Sequence, residues 1–153
     1  MTALFSFLVP CLGAFVAGIG FAIIYNIHGK NIWISSLCGT LAYAVYLVAC
    51  LFFETNFAPY FIAGVFIGLY SELAAYIFHT PVTVYLMPGI VPLVPGFTIY
   101  KTMEACLQGD ISGFGTGVVD TLKIAGAISL GMIMASYFVK AIKNIVQGNW
   151  KEH

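Results

Sequence analysis

Four long apolar runs constrain this chain more than any other feature of its sequence. They occupy residues 4–25, 32–53, 60–78 and 117–138. A membrane-spanning helix needs about 20 predominantly apolar residues, and each run meets that length. Backbone groups in lipid have no water to bond, so a spanning segment of this size must pair them within an α-helix. The sequence therefore predicts an all-α polytopic membrane protein, with residues 1–153 forming a single transmembrane domain.

Composition excludes several other classes of protein. Hydrophobic residues make up 61% of the 153 residues and charged residues 8%, whereas soluble domains carry roughly a quarter charged residues. The mean hydropathy is +0.97. Six basic residues, all lysine, balance six acidic ones without forming a basic face, so we expect no nucleic-acid partner. Four cysteines lie in apolar segments without C-x-x-C spacing and are interpreted as packing residues: Cys11, Cys38, Cys50 and Cys106.

A fifth apolar segment, residues 81–107, is interrupted by proline and glycine. It contains the sequence PVTVYLMPGIVPLVPGFTIYK, with Pro88, Gly89, Pro92, Pro95 and Gly96 as interruptions. Proline removes a backbone N–H and clashes with the preceding turn, so we expect a discontinuous helix at membrane depth. A helix restarting near Gly96 would direct free N–H groups into a cavity, which favours an anion such as a carboxylate. A proline-kinked helix without a ligand is the alternative.

The lysines of the loops predict the orientation of the chain. Lys30 follows the first run, and Lys140, Lys143 and Lys151 follow the last. Cytoplasmic loops are enriched in lysine, so both places are assigned to the cytoplasmic side. This requires the broken segment to cross the membrane. We predict five crossings with the N-terminus outside and the C-terminus in the cytoplasm, and we expect the glycine-rich stretch at 108–117 to be a flexible outer loop.

The broken segment also carries a motif, P-G-I-x-P-x-x-P-G-x-x-x-Y, which runs from Pro88 to Tyr100. The motif resembles the signature of the threonine/serine exporter family. Almost the whole chain is similar to the C-terminal half of the family's full-length exporters, and to the small subunit of bacterial two-subunit exporters implicated in succinate efflux. The motif and the predicted break together nominate a substrate site: Pro88, Gly89, Pro92, Pro95, Gly96 and Tyr100.

The resemblance implies a secondary transporter of the bacterial inner membrane that exports small carboxylates or hydroxy amino acids. It also implies a partner, a larger membrane subunit that supplies the other half of the fold. Self-association of the chain is left open, and no cofactor is implied. Two other functions remain as alternatives: a passive channel, since unwound backbone also builds selectivity filters, and a scaffold subunit without its own substrate site.

Ionisable residues within membrane segments are functional candidates, because charge is costly in lipid. Glu72 follows Gly64 and Gly68 at intervals of four residues, so all three share one helix face. We nominate Glu72 as a proton carrier, with an interhelical hydrogen bond as the alternative. Asp120 and Lys123, one turn apart, are interpreted as a structural ion pair or a substrate clamp.

The remaining polar residues indicate no catalytic or metal centre. His28, His79 and His153 lack metal-ligand spacing. His79 is expected at a helix end, where it is either an interfacial residue or part of a proton relay. Lys101 and Glu104 are expected to mark the outer interface. No nucleophile elbow or nucleotide-binding loop is found in the sequence, so we predict gradient-driven transport and no enzyme.

Overall fold

The computed structural model describes residues 2–53, 55 and 57–148. Helices account for 88% of the chain, with no strand among the described residues, which confirms the all-α prediction. Four helices are long and apolar enough to cross a membrane, and a bent pair of shorter helices raises the count to five if the pair is one span. The helices are α1 (Thr2–Ile24), α2 (Lys30–Phe52), α3 (Phe57–Phe78), α4 (Thr83–Ile90), α5 (Gly96–Leu107) and α6 (Ile111–Gly148), with a 3₁₀ turn at Val91–Leu93 after α4.

Three of these helices end in the same way. Asn26 after α1, His79 after α3 and Gly109 after α5 have φ values of 58°, 52° and 74°. In each case the next residue donates its N–H to a carbonyl five residues back, as Thr80 does to Ala75 at 3.2 Å. This left-handed cap pairs carbonyls that the end of a helix leaves free. His79 therefore has a structural role at the end of α3, in agreement with its expected position.

Helices α3 and α6 meet along a seam of small residues. A Cβ placed on Gly64 would lie 2.6 Å from the carbonyl oxygen of Ile128, and one on Gly131 would lie 2.5 Å from that of Phe61. Only glycine permits such a close approach of two backbones. On α6 the small residues Ala127, Gly131 and Ala135 are all buried.

The residue pairs along this seam show that α3 and α6 run parallel. Gly64 faces Ile128, Gly68 faces Met132 and Ala135, and Glu72 pairs with Lys143. Residue numbers rise together on both helices. The chain must therefore return along the length of the bundle between the end of α3 and the start of this seam, and α4, the 3₁₀ turn and α5 make that return.

Helix α6 is longer than the predicted span at 117–138. It has 38 residues, or about 57 Å of helix, and its first residues, 111–119, extend past the start of α3. There α6 packs against α5, with Gly117 against Thr102 and Gly113 against Ala105. The predicted flexible loop at 108–117 was wrong, because residues from Ile111 onward are helical. Glycine in α6 serves close helix packing at this point instead of loop flexibility.

The core lies where α2, α3, the 3₁₀ turn and α6 converge. Leu93 of the turn is 2% exposed. It packs with Cys38 and Ala42 of α2, Ala63 and Ile67 of α3, and Ile124 and Ile128 of α6. Ala42 stands near the middle of α2, so the interruption between α4 and α5 begins near the middle of the bundle.

Candidate functional site: the interrupted helix

The helix breaks later than the sequence suggested. Pro88 and Gly89 lie within α4, which continues to Ile90, and the interruption falls at Val94 and Pro95. Val94 adopts extended backbone with ψ 131°, the region that a residue before proline favours. The axes on either side of the break differ by 52°. Discontinuity was predicted correctly, but the first Pro-Gly pair does not cause it.

The first half of the motif packs tightly against α2. Pro88 is fully buried. A Cβ on Gly89 would lie 2.9 Å from Cys38 Sγ, and one on Gly39 would lie 3.2 Å from Pro92 Cγ and 3.3 Å from the carbonyl oxygen of Pro88. That carbonyl loses its usual donor because Pro92 has no N–H. The freed carbonyl therefore faces protein, and this half of the motif positions the break.

The second half of the motif starts α5 at the surface of the chain. Gly96 is exposed, with nothing within 4 Å of a Cβ placed on it. The N–H of Gly96 donates to the carbonyl of Val94 at 2.7 Å. The first helical hydrogen bond of α5 is donated by the N–H of Ile99 to the carbonyl of Pro95 at 3.0 Å. The N–H groups of Phe97 and Thr98 come before this first helical hydrogen bond, and the N-cap residue Pro95 supplies no side-chain acceptor for them.

Gly96 does not adopt positive φ. The glycines with positive φ in the described residues are Gly29 and Gly109. Gly96 instead leaves the first turn of α5 open, since it has no side chain to cover the N–H groups that follow.

The six predicted substrate residues thus range from the buried core to the exposed surface. Pro88 and Gly89 are buried, Pro92 and Pro95 are half-buried, and Gly96 and Tyr100 are exposed. The side chain of Tyr100 is 64% exposed. This chain presents the start of α5 as an open surface, and the described residues do not bring the six together around one enclosed site.

Glu72 occupies the seam between α3 and α6, as its spacing from Gly64 and Gly68 predicted. The residue is 9% exposed, and its Oε2 lies 3.5 Å from Nζ of Lys143. The ammonium of Lys143 also lies 5.7 Å from the ring centroid of Tyr76. An opposite charge at this distance offsets part of the cost of burying the carboxylate. Lys143 was not assigned this role from the sequence, because the two residues are 71 positions apart.

Asp120 and Lys123 form the predicted ion pair on α6. Lys123 Nζ lies 3.2 Å from Asp120 Oδ1, and both side chains are more than half exposed. Together with Thr55, Phe57 and Ile124 they line a cavity of about 240 Å³ beside the start of α3. The expected pair of Lys101 and Glu104 is also present on α5, at 2.9 Å.

A buried hydroxyl at the start of α4 was missed in the sequence. Tyr85 is 0% exposed, and its hydroxyl donates to Asn31 Oδ1 at 2.9 Å and accepts from Thr80 Oγ1 at 3.0 Å. The network ties α4 to the start of α2 and the end of α3. A tyrosine within an apolar segment gave no signal of this role.

Residues 2–53, 55 and 57–148 contain no cluster of metal-ligating side chains.

Comparison with known proteins gave one finding. A family model described as threonine/serine exporter, ThrE, matches residues 10–138. The match includes the seam, the interrupted helix and both ion pairs on α5 and α6. Searches among curated proteins and among solved structures found no significant match.

Proposed function

Because the chain belongs to the threonine/serine exporter family, we propose that it is the membrane subunit of a secondary transporter that exports small carboxylates or hydroxy amino acids. The start of α5 is the substrate-binding element in this proposal. The chain lies in the bacterial inner membrane, with its N-terminus outside and its C-terminus in the cytoplasm.

The parallel arrangement of α3 and α6 is the observation that carries this proposal. In this proposal α3 and α6 both span the membrane, so the parallel chain between them crosses it once more. The interrupted helix is then a crossing segment, and the chain crosses five times. Its break begins beside Leu93, close to Ala42 at the middle of α2. Transporters place interrupted helices at this depth to bind substrate.

The chemistry of the break favours a carboxylate. The unpaired N–H groups of Phe97 and Thr98 and the positive end of the α5 dipole attract an anion. Gly96 keeps the approach to them open. Succinate and the hydroxy amino acids all carry a carboxylate, so this feature fits both substrate classes.

A second membrane subunit completes the site in this proposal. The start of α5 is exposed, and Phe97 and Tyr100 are 76% and 64% exposed. Polar backbone at membrane depth is tolerated only where protein or a water-filled cavity covers it. A larger subunit of the same family would enclose the substrate between its own surface and α5.

Glu72 remains the proposed proton carrier. It is a buried carboxyl on a spanning helix, and its partner Lys143 is 44% exposed, so water reaches one side of the pair. Proton uptake by Glu72 would break the pair with Lys143 and release the end of α6 from α3. Asp120 and Lys123 are kept as a charged pair beside the outer end of α3, with substrate contact as a second role.

A scaffold subunit is the second candidate, and one observation favours it. Pro88 and Gly89 form the first of the motif's two Pro-Gly pairs, and both are buried against α2. If the whole motif served packing alone, substrate would bind only to the partner. Transport kinetics of Gly96 variants separate the two candidates, because substitutions there have space and leave this packing intact.

The test uses inverted membrane vesicles of the native host, in which an exporter accumulates substrate. Proton-driven uptake of labelled threonine and succinate is compared between vesicles with and without the chain. The proposal expects saturable uptake that depends on the chain. Uptake that is unchanged without the chain, for carboxylates and amino acids alike, would overturn it.

A further inference from the structure

A second polar feature of α6 lies outside the site described above. Ser129, Ser136 and Lys140 are separated by seven and four residues, so they form a stripe on one face of the helix. This stripe, with Met132, Ile133 and Tyr137, lines an open cleft of about 340 Å³ that has Leu86 of α4 on its other side. We refer to it as the α4–α6 cleft.

The charge of Lys140 distinguishes this cleft. The other lysines on α5 and α6 are each paired with a carboxylate: Lys101 with Glu104, Lys123 with Asp120 and Lys143 with Glu72. Within residues 2–53, 55 and 57–148, no carboxylate lies within 4.0 Å of Lys140 Nζ. Lys140 is exposed, so its ammonium is open to a soluble anion that enters the cleft.

The cleft also leads toward the break. Ser129 follows Ile128, which packs in the core with Leu93 of the 3₁₀ turn, and Leu86 precedes Pro88 by two residues. Lys140 lies about 16 Å further along α6 than Ser129. The cleft therefore connects the Lys140 end of the bundle with the level at which the helix is interrupted.

We propose that the α4–α6 cleft is a carboxylate subsite on the path to the break, with the ammonium of Lys140 holding the carboxylate and the hydroxyl of Tyr137 donating to it. Charge-assisted hydrogen bonds of this type are roughly twice as strong as neutral ones. That the cleft lies on the path of the substrate rests on the proposed transport function. That the cleft binds a carboxylate does not depend on it. The ligand is a soluble carboxylate, and the phosphate of an anionic lipid is the competing source of the same charge.

The test measures charge selectivity in the cleft without transport. A single reporter, Ser136→Cys, is introduced after replacing Cys11, Cys50 and Cys106 by serine, while Cys38 is kept because it is 0% exposed. The full-length protein in phosphatidylcholine nanodiscs is treated with anionic and cationic methanethiosulfonate reagents of similar size. Their rates of reaction at residue 136 are compared.

The proposal expects the anionic reagent to react faster, and succinate to slow it. Lys140→Gln should lower the anionic-to-cationic rate ratio at least about fivefold, because the reagents differ by two charges near a low-dielectric wall. Lys30→Gln removes a lysine at the start of α2 and should leave the ratio unchanged. An unreactive thiol in the Ser136→Cys reporter, a ratio insensitive to Lys140→Gln, or protection by phosphatidylglycerol but not by succinate would each overturn the proposal.

Measuring vesicle uptake beside the labelling distinguishes failure of this inference from failure of the proposed function. If vesicle uptake is absent but the charge-selective labelling persists, the carboxylate subsite stands and the exporter does not. If uptake is present and Lys140→Gln leaves its half-saturating concentration unchanged, the exporter stands and the subsite is wrong.

Discussion

Glu72 Oε2 and Lys143 Nζ lie 3.5 Å apart, at the end of the glycine seam that joins α3 to α6. The carboxylate is largely buried and the ammonium is partly exposed. This pair therefore closes one end of the seam of small residues between α3 and α6, and it places the strongest candidate for proton coupling between the two parallel helices.

The first prediction concerns proton coupling. Glu72→Gln keeps the shape of the side chain but removes its titratable proton, so it should abolish pH-driven accumulation in vesicles while substrate exchange remains measurable. Lys143→Gln removes the partner and leaves the carboxyl able to titrate, so it should retain pH-driven accumulation. Equal behaviour of the two variants would reduce Glu72 to one half of a structural ion pair.

The second prediction concerns the seam between α3 and α6. Gly131→Ala places a methyl group 2.5 Å from the carbonyl oxygen of Phe61, so the helices must separate, at a cost of about 1–3 kcal/mol in the free energy of unfolding. Gly126→Ala on the same helix meets nothing within 4 Å and should be neutral or slightly stabilising. Thermal unfolding of the purified variants in detergent checks both, and equal stability of the two would contradict the close seam.

The third prediction concerns the contact between the break and α2. Gly89→Ala places a methyl group 2.9 Å from Cys38 Sγ and should lower the unfolding temperature. Cys38→Ala removes the sulfur, so the double variant should recover part of the loss, as neighbouring residues couple. Additive losses in the double variant would mean that the two residues do not meet.

The fourth prediction concerns orientation. Cysteines introduced at Thr55 and Ser112 should react with an impermeant thiol reagent added outside the cell, and cysteines at Asn31 and Ile145 should not. Positions 112 and 145 lie at the two ends of α6, so they should be on opposite sides of the membrane. Labelling from outside at 145 but not at 112 would show that the interrupted segment re-enters without crossing.

The sequence predicted the helices well where one physical signal dominated. Apolar length located α1, α2 and α3 to within a few residues, and the four-residue spacing of Gly64, Gly68 and Glu72 placed all three on the face that contacts α6. These features depend on local composition and helix periodicity, which a single sequence contains.

Contacts between distant segments could not be read in this way. The pairing of Glu72 with Lys143 depends on α3 and α6 being parallel, and the buried hydroxyl of Tyr85 depends on three segments meeting. Local rules also misplaced the break. α4 tolerates Pro88 where α2 packs against it, and Met87 and Val91 stay helical although each precedes a proline. The helix stops only at Val94, where the backbone before Pro95 is extended. The glycines at 113 and 117 looked like a loop until α5 was seen to pack against them.

The central claim is that the open start of α5 binds substrate, and the affinity of a Gly96→Leu variant tests it most directly. A Cβ at Gly96 meets nothing within 4 Å, so the variant should fold normally while its leucine side chain covers the N–H groups of Phe97 and Thr98. Gly20→Leu on α1, where a Cβ also meets nothing within 4 Å, is the matched control. In inverted vesicles with equal amounts of protein, the account predicts that Gly96→Leu raises the half-saturating substrate concentration at least about tenfold, the equivalent of 1.4 kcal/mol, while Gly20→Leu leaves it unchanged. Unaltered affinity and flux in Gly96→Leu would contradict the account and leave the interrupted helix with a packing role alone.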